Sequence, residues 1–278
     1  MINPFKVFKS LNPSIRTTRL LNRFNLLNKL EPLKTLTKGY QFGHGRNHHG
    51  HITNWNKGKG HFRLYRNVDF FRNFNSFGIV EGLEYDPNRT ARIIRVFNPD
   101  LHKHSYTLAV KTLKRGDFVR NYFSSQIGNH IYLKDVPTGF VINNLSIGYH
   151  KIGKYIRAAG AYGQIIYKTQ YVARIKLKSG EHRIFSVIAS ATLGNIGNEN
   201  SKFIKLGKAG RNRWYNVKPT VRGVAINPVD HPHGGGEGRT SGGRPSVTPW
   251  GKPTKNQPTL KKINPLRVEL KKKKKKKK

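Results

Sequence analysis

The chain contains no cysteine, a single methionine and only 13 acidic residues among 278. The missing thiols exclude disulfide scaffolds, cysteine-containing zinc fingers and thiol catalysis together. No apolar run approaches the roughly 18 residues that a membrane-crossing helix needs, so an integral helical membrane protein is excluded too. Against the few acids stand 53 Lys and Arg, giving a formal charge of +40. Self-repulsion of that size opposes compaction unless a polyanion supplies counter-charge. Nucleic acid is therefore the first expected partner, and an anionic membrane surface a distant second. A metabolic enzyme with a small neutral substrate has no use for such a field. The hydrophobic fraction, 36%, is low for a globule, but 15 Phe, 12 Tyr and 3 Trp exclude a purely disordered basic tail.

The charge is unevenly spread. Residues 1–60 hold 11 basic and 1 acidic residues, residues 61–200 hold 20 and 9, and residues 201–278 hold 22 and 3. This predicts a moderately basic folded centre between two strongly basic, less compact arms; with a break at Ser124–Asn129, the expected organisation is a basic N-terminal extension over residues 1–40, β-rich blocks over 41–123 and 124–200, and a Gly/Pro-rich basic C-terminal arm over 201–278.

Strand periodicity runs through the centre. From His61 to Arg72 the even positions Phe62, Leu64, Val68 and Phe70 are apolar, interrupted by Arg66. Asp86-Pro87-Asn88-Arg89 reads as a turn, followed by strands at Ala91–Phe97 and Ser105–Val110. Further strands are expected at Gly139–Ile147 and Gly163–Lys168. Tyr171, Ala173, Ile175 and Leu177 form one face of another, which turns at Ser179-Gly180-Glu181 and returns as His182–Ile188. Short strands separated by turns suggest small barrels. In the N-terminal extension, Leu20, Leu21, Phe24 and Leu27 lie at helical spacing opposite Arg16, Arg19 and Arg23, which predicts an amphipathic helix over 14–30. From Lys208 onward Gly and Pro recur so often that no regular element of useful length can persist.

The densest chemistry lies between Arg211 and Arg239, where guanidinium groups, aromatic rings and glycines interleave. Such a stretch can pair with phosphates, stack on bases and bring backbone N–H groups close to a sugar-phosphate chain. A solvated linker is the bland alternative, but linkers rarely combine Trp, repeated Arg and rigid Pro-His-Gly corners.

The string GRNRWYNVKPTVRGVAINPVDHPHGGGEGR (210–239) and then PSVTPWGKPT (245–254) strongly resembles the C-terminal signature of universal large-subunit ribosomal protein two, the L-two family, in its bacterial or organellar form. The likeness extends through ATLGNIGN (191–198), LGKAG (206–210), GLEYDPNRTARI (82–93), VDF (68–70) and GRNHHGHIT (45–53), and covers roughly residues 41–255. The resemblance implies a mostly β chain, with an OB-like barrel followed by an SH3-like barrel and extended basic N- and C-terminal arms that thread into large-subunit rRNA. It implies a structural constituent of the large subunit that supports subunit association and the architecture near the peptidyl transferase centre. Expected partners are large-subunit rRNA, neighbouring ribosomal proteins and the small subunit across the intersubunit interface, with no membrane. No cofactor is expected apart from Mg2+ shared with rRNA.

The basic stretches and family loops together give the expected RNA contacts: Arg46, Asn47, Lys57, Lys59, His61, Lys208, Arg211, Arg213, Trp214, Lys218, Arg222, His231, His233, Arg239, Arg244, Trp250 and Lys252. Asp230 beside His231 invites a general-base reading, but adjacent residues in a Pro-Gly corner do not readily set a carboxylate on the ring nitrogen, and no nucleophile is identifiable. No catalytic residue and no enzyme activity are expected. His44, His48, His49, His51 and His61 read as an RNA-contacting loop in preference to a metal site. The histidine enrichment, Asn200-Ser201 after Glu199 in place of the family's Glu-His pair, and the homopolymeric Lys271–Lys278 all depart from the family pattern. That lysine run is either a solvated tail or a nonspecific phosphate neutraliser. Residues 1–30, with six basic residues and no acid, have the composition of a mitochondrial transit peptide or of a retained rRNA-binding arm. Mitochondrion is the first expected location, with plastid and bacterial cytoplasm as alternatives.

Overall fold

The computed structural model describes all residues except 1–2, 7, 23–26, 29, 41–42, 73–76, 123, 258–263 and 269–278. It is mostly β, as the family resemblance implies, and its contacts form two compact units. The first comprises Met1–Gln41, Phe62–Lys208 and Pro265–Lys278; the second comprises Phe42–His61 and Ala209–Asn264.

In the first unit the N-terminal segment holds one short helix, α1 (Pro13–Thr17), capped by the Asn12 side chain accepting from the Ile15 N–H. The helix expected over 14–30 stops there. Thr18 is extended, and Arg19 exchanges both backbone hydrogen bonds with Lys205 at 2.9 Å. Leu21 pairs with Phe5, so the leucines serve an extended pairing and the helical spacing goes unused. Arg23 and Phe24 of that expectation lie outside the described residues.

The segment then forms β1 (Thr37–Tyr40), which pairs antiparallel with β2 (Arg63–Arg66). The strand expected over 61–72 is thus only four residues long, and its first half turns the other way. Phe62 and Leu64 are exposed while Arg66 is buried, its Nη1 donating to the Leu64 carbonyl at 2.9 Å. Beyond β2 the chain leaves β1 and Val68 bridges in parallel to Tyr106, which puts Val68 in the core.

The OB-like barrel is an antiparallel sheet of β3 (Phe77–Glu84), β4 (Ile93–Asn98), β5 (Lys103–Leu108) and β6 (Phe118–Arg120), ordered β5-β4-β3-β6. Val80, Ile94, Val96, Ala109, Val110, Leu113 and Val119 fill it. In β3, Gly78, Val80, Gly82 and Glu84 alternate inward. Gly82 is required by close approach: a Cβ there would meet the Asn28 side chain at 2.8 Å, where Asn28 Oδ1 accepts from the Leu83 N–H. The buried Glu84 carboxylate is satisfied by Arg95, whose Nε donates at 2.7 Å, and by the Tyr106 hydroxyl at 2.9 Å. Tyr106 accepts in turn from the Leu33 N–H at 3.0 Å and Arg95 reaches the Glu31 carbonyl, so this buried network docks the N-terminal segment on the barrel.

The SH3-like barrel comprises β7 (His130–Tyr132), β8 (Val141–Asn143), β9 (Gly163–Lys168), β10 (Val172–Leu177), β11 (His182–Ser186) and β12 (Ser190–Leu193). A C-terminal strand, β13 (Arg267–Val268), covers the β11 edge, giving the order β13-β11-β10-β9-β8-β12-β7. Ala173 and Ile175 of β10 are buried beside Ile165 and Phe185, as the alternation predicts, and β10 pairs with β11 as expected. Tyr171, placed on that inward face by its spacing, is instead 73% exposed, because it precedes the strand.

The barrels join along Ala109–Lys111 and Asn195–Gly197, which exchange backbone hydrogen bonds. Beside this seam Arg72 is buried with Nη1 donating to the Gly128 carbonyl at 2.9 Å and to Thr192 Oγ1 at 3.3 Å. Burial lowers its pKa to about 10, with Asp69 opposing the shift. His130, 1% exposed, places Nδ1 3.0 Å from the same Thr192 hydroxyl. Burial, and then the Arg72 charge, hold its pKa well below the ordinary 6.5.

Candidate nucleic-acid interface

The second unit joins a loop near the start of the chain to the Gly/Pro-rich C-terminal segment. In the loop, Asn47 Oδ1 accepts from the N–H groups of His49 and His51 at 3.1 and 3.0 Å, and Arg46 bridges Ile52. This small turn presents Arg46, Asn47 and the histidines to solvent. Among the described residues no three His, Asp or Glu side chains converge to hold a metal ion.

Residues 56–61 then run along the end of α2 (Ala209–Trp214) and the residues after it. Gly58 N–H donates to the Asn216 carbonyl and Lys218 N–H to the Asn56 carbonyl, both at 2.8 Å, and His61 N–H donates to the Trp214 carbonyl at 3.2 Å. Gly60 sits at φ +64°, and a Cβ there would fall 1.5 Å from Asn216 Oδ1. Only glycine permits this approach. The junction encloses a groove of about 530 Å³ lined by Lys59, His61, Arg213, Trp214, Lys218 and neighbouring backbone.

The Pro-His-Gly corner is held by its own histidines. His231 Nδ1 accepts from the His233 N–H at 3.0 Å, and the two rings stack with centroids 5.0 Å apart. His233 Nε2 accepts from the Val247 N–H at 3.0 Å, which leaves Nδ1–H to donate to the Gly242 carbonyl at 3.1 Å. Both nitrogens of His233 are thus committed to bracing the loop. A carboxylate-imidazole pair with Asp230 does not form, and the general-base reading has no geometric support.

The structure brings together 16 of the 17 expected contacts. Arg46, Asn47, Lys57, Lys59 and His61 lie in the same unit as Arg211, Arg213, Trp214, Lys218, Arg222, His231, His233, Arg239, Arg244, Trp250 and Lys252. Lys208 belongs to the other unit. Arg211, His231 and His233 are half-buried and the other fourteen are exposed. The sequence of this second unit carries 13 basic against 2 acidic residues.

One aromatic was missed by sequence reasoning. Trp55, 55% exposed, meets the 71% exposed Trp250 edge to face, with ring centroids 5.6 Å apart. A lone tryptophan in the polar Thr53–His61 stretch was the available signal. Two large exposed rings beside cations can accept bases by stacking.

Comparison with known proteins agrees with this geometry. Residues 33–121 match the family model "Ribosomal Proteins L2, RNA binding N-terminal domain", and residues 126–251 match "Ribosomal Proteins L2, C-terminal domain". The chain is 48% identical over 275 residues to Large ribosomal subunit protein uL2m of Reclinomonas americana, covering 97% of this chain and 99% of that protein. It is 47% identical, with the same coverage, to Large ribosomal subunit protein uL2 of Rickettsia felis and of Rickettsia prowazekii. Expectation and comparison thus meet: the chain belongs to the ribosomal protein L2 family, a structural and non-enzymatic family of the large ribosomal subunit with an RNA-binding domain.

Proposed function

We propose that the unit formed by Phe42–His61 and Ala209–Asn264 is the principal rRNA interface of this chain, and that it holds large-subunit rRNA in place near the peptidyl transferase centre. The observation that carries this reading is the convergence of 16 expected contacts, distant in sequence, in a unit with 13 basic and 2 acidic residues. Lys and Arg there neutralise phosphates where RNA helices crowd, and the exposed Trp55, Trp214 and Trp250 offer stacking surfaces. In the same proposal the chain supports association with the small subunit, contacts neighbouring ribosomal proteins, needs no cofactor of its own beyond Mg2+ shared with rRNA, and works in mitochondrial ribosomes. The last point rests on the six basic residues and no acid among residues 1–30, and on the likeness to a mitochondrial relative.

The test is binding of the full chain to transcribed large-subunit rRNA across salt concentrations. Each neutralised phosphate contributes roughly 0.7 to 0.9 to the slope of log affinity against log salt. Replacing Arg213, Lys218, Arg222, Arg239 and Arg244 by Gln should therefore flatten the slope by about 3.5 to 4.5. A slope unchanged by those five substitutions would remove the assignment.

A further inference from the structure

The SH3-like barrel carries a second cluster suited to RNA, outside the interface just described. The half-buried Tyr122 and Tyr132 line up with the exposed Tyr149. Ring centroids are 4.6 Å apart for Tyr122 and Tyr132, and 6.0 Å with a 26° interplanar angle for Tyr132 and Tyr149. At the inner end Tyr122 meets the buried His130 ring edge to face, with centroids 6.0 Å apart. Burial pushes the Tyr122 hydroxyl up to about 12. The His150 ring stands edge-on to Tyr149 with centroids 4.0 Å apart, and the Lys134 ammonium lies 5.5 Å from the Tyr132 ring centre.

The inner end of this ladder is anchored, while the outer end is open. Tyr149 is 53% exposed, at the tip of a loop that also exposes Ile147 and Ile152. Such a tip is costly to leave in water: an exposed ring forgoes the roughly 1.5 to 3 kcal/mol that burying a large apolar side chain yields. Lys134, beside the Tyr132 ring, is exposed, as are Lys151 and Lys154, which follow Tyr149 in the chain; Asp135, next to Lys134, is the neighbouring acid. Stacked rings held rigidly beside ammonium groups match an unpaired nucleobase with its flanking phosphates better than an acidic peptide, which has no flat apolar face to cover the ring.

We propose that Tyr149, backed by Tyr132 and Tyr122, is a stacking platform for an unpaired base of rRNA, with Lys134, Lys151 and Lys154 engaging the adjacent phosphates. This inference rests on the RNA-binding reading above but uses residues of the other unit. The ladder supplies a preorganised ring, so stacking a base on it orders little protein.

The experiment measures affinity of the full chain for transcribed large-subunit rRNA, as wild type, Tyr149→Ala, Tyr149→Phe, and Lys134, Lys151 and Lys154 together changed to Gln. Tyr149→Ala should weaken binding about 5- to 150-fold at unchanged salt slope, since a stacked ring is lost and no phosphate contact is removed. Tyr149→Phe should retain wild-type affinity within about twofold, because the stacking face remains. The triple lysine variant should reduce the salt slope by about 2 to 3. Thermal unfolding of each variant establishes that the barrel is intact. If Tyr149→Ala binds as wild type does, or Tyr149→Phe falls as far as Tyr149→Ala, the platform does not exist. A flat slope for the wild-type chain would instead sink the RNA-interface reading itself.

Discussion

His130 allows a quantitative test of how the two barrels are joined. Its ring is 1% exposed, bonded to Thr192 and close to the buried Arg72 guanidinium. In the unfolded chain the imidazole takes up a proton near its ordinary 6.5, whereas in the fold burial and then the Arg72 charge keep it neutral to much lower pH. Below 6.5 the unfolded state therefore binds a proton that the native state refuses. The contribution is fully present at neutral pH and fades as acid is added, by about 1.4 kcal/mol per pH unit until the folded-state titration is reached. Taking the chain from pH 7.5 to 5.5 should cost about 1.4 kcal/mol through this residue alone. Urea unfolding at both pH values and constant salt, followed by near-ultraviolet tyrosine dichroism, measures the loss. His130→Asn, which cannot titrate, should lose about 1.4 kcal/mol less than wild type over the same interval. His182, also held low by partial burial and by Arg174 and Lys176, is common to both proteins and cancels in the comparison. Parallel pH dependence in the two proteins would mean that His130 is not a buried neutral group at the seam.

Two further outcomes follow from packing. Tyr106→Phe strands the Leu33 N–H and one Glu84 oxygen in a dry site, so it should destabilise the OB-like barrel by about 2 to 4 kcal/mol. Amide exchange at Leu33 should accelerate, and unchanged exchange there would show that Tyr106 does not dock the N-terminal segment. Gly60→Ala drives a Cβ into Asn216 at positive φ, a strain of about 1 to 3 kcal/mol confined to the second unit. The amides of Gly58 and Lys218 should lose protection and rRNA affinity should fall while barrel unfolding is unaltered; retained protection would mean that the junction tolerates a side chain.

Legibility in the sequence followed the source of each signal. β10 was readable because apolar and polar residues alternate from Ala173 to Leu177, and β11 because Ser179-Gly180-Glu181 marks the turn that returns it as a hairpin. β3, the longest strand, was not: its inward positions are Gly78, Val80, Gly82 and Glu84, which show no apolar period because a side chain from another segment and an ion pair fill the space. The leucines of 14–30 carried a real helical spacing that long-range pairing to Lys205 and Phe5 overrode. At the candidate interface, residue types announced themselves, but the role of His233 as a brace depends on Gly242 and Val247, whose approach no local pattern encodes.

Charge, the absence of thiols, and the motifs of residues 210–254 therefore determined by themselves the partner class and the family, because electrostatics and residue chemistry survive any arrangement of the chain. What only the tertiary structure decided is which cations act together. Residues 42–61 and 209–264 are separated by more than a hundred residues, yet they share one unit because Gly60 lets two backbones approach at a distance that any side chain would forbid. The tyrosine ladder is of the same kind: three residues unremarkable in the sequence become a single feature only once β7, the segment at Tyr122 and the loop at Tyr149 have been folded against one another.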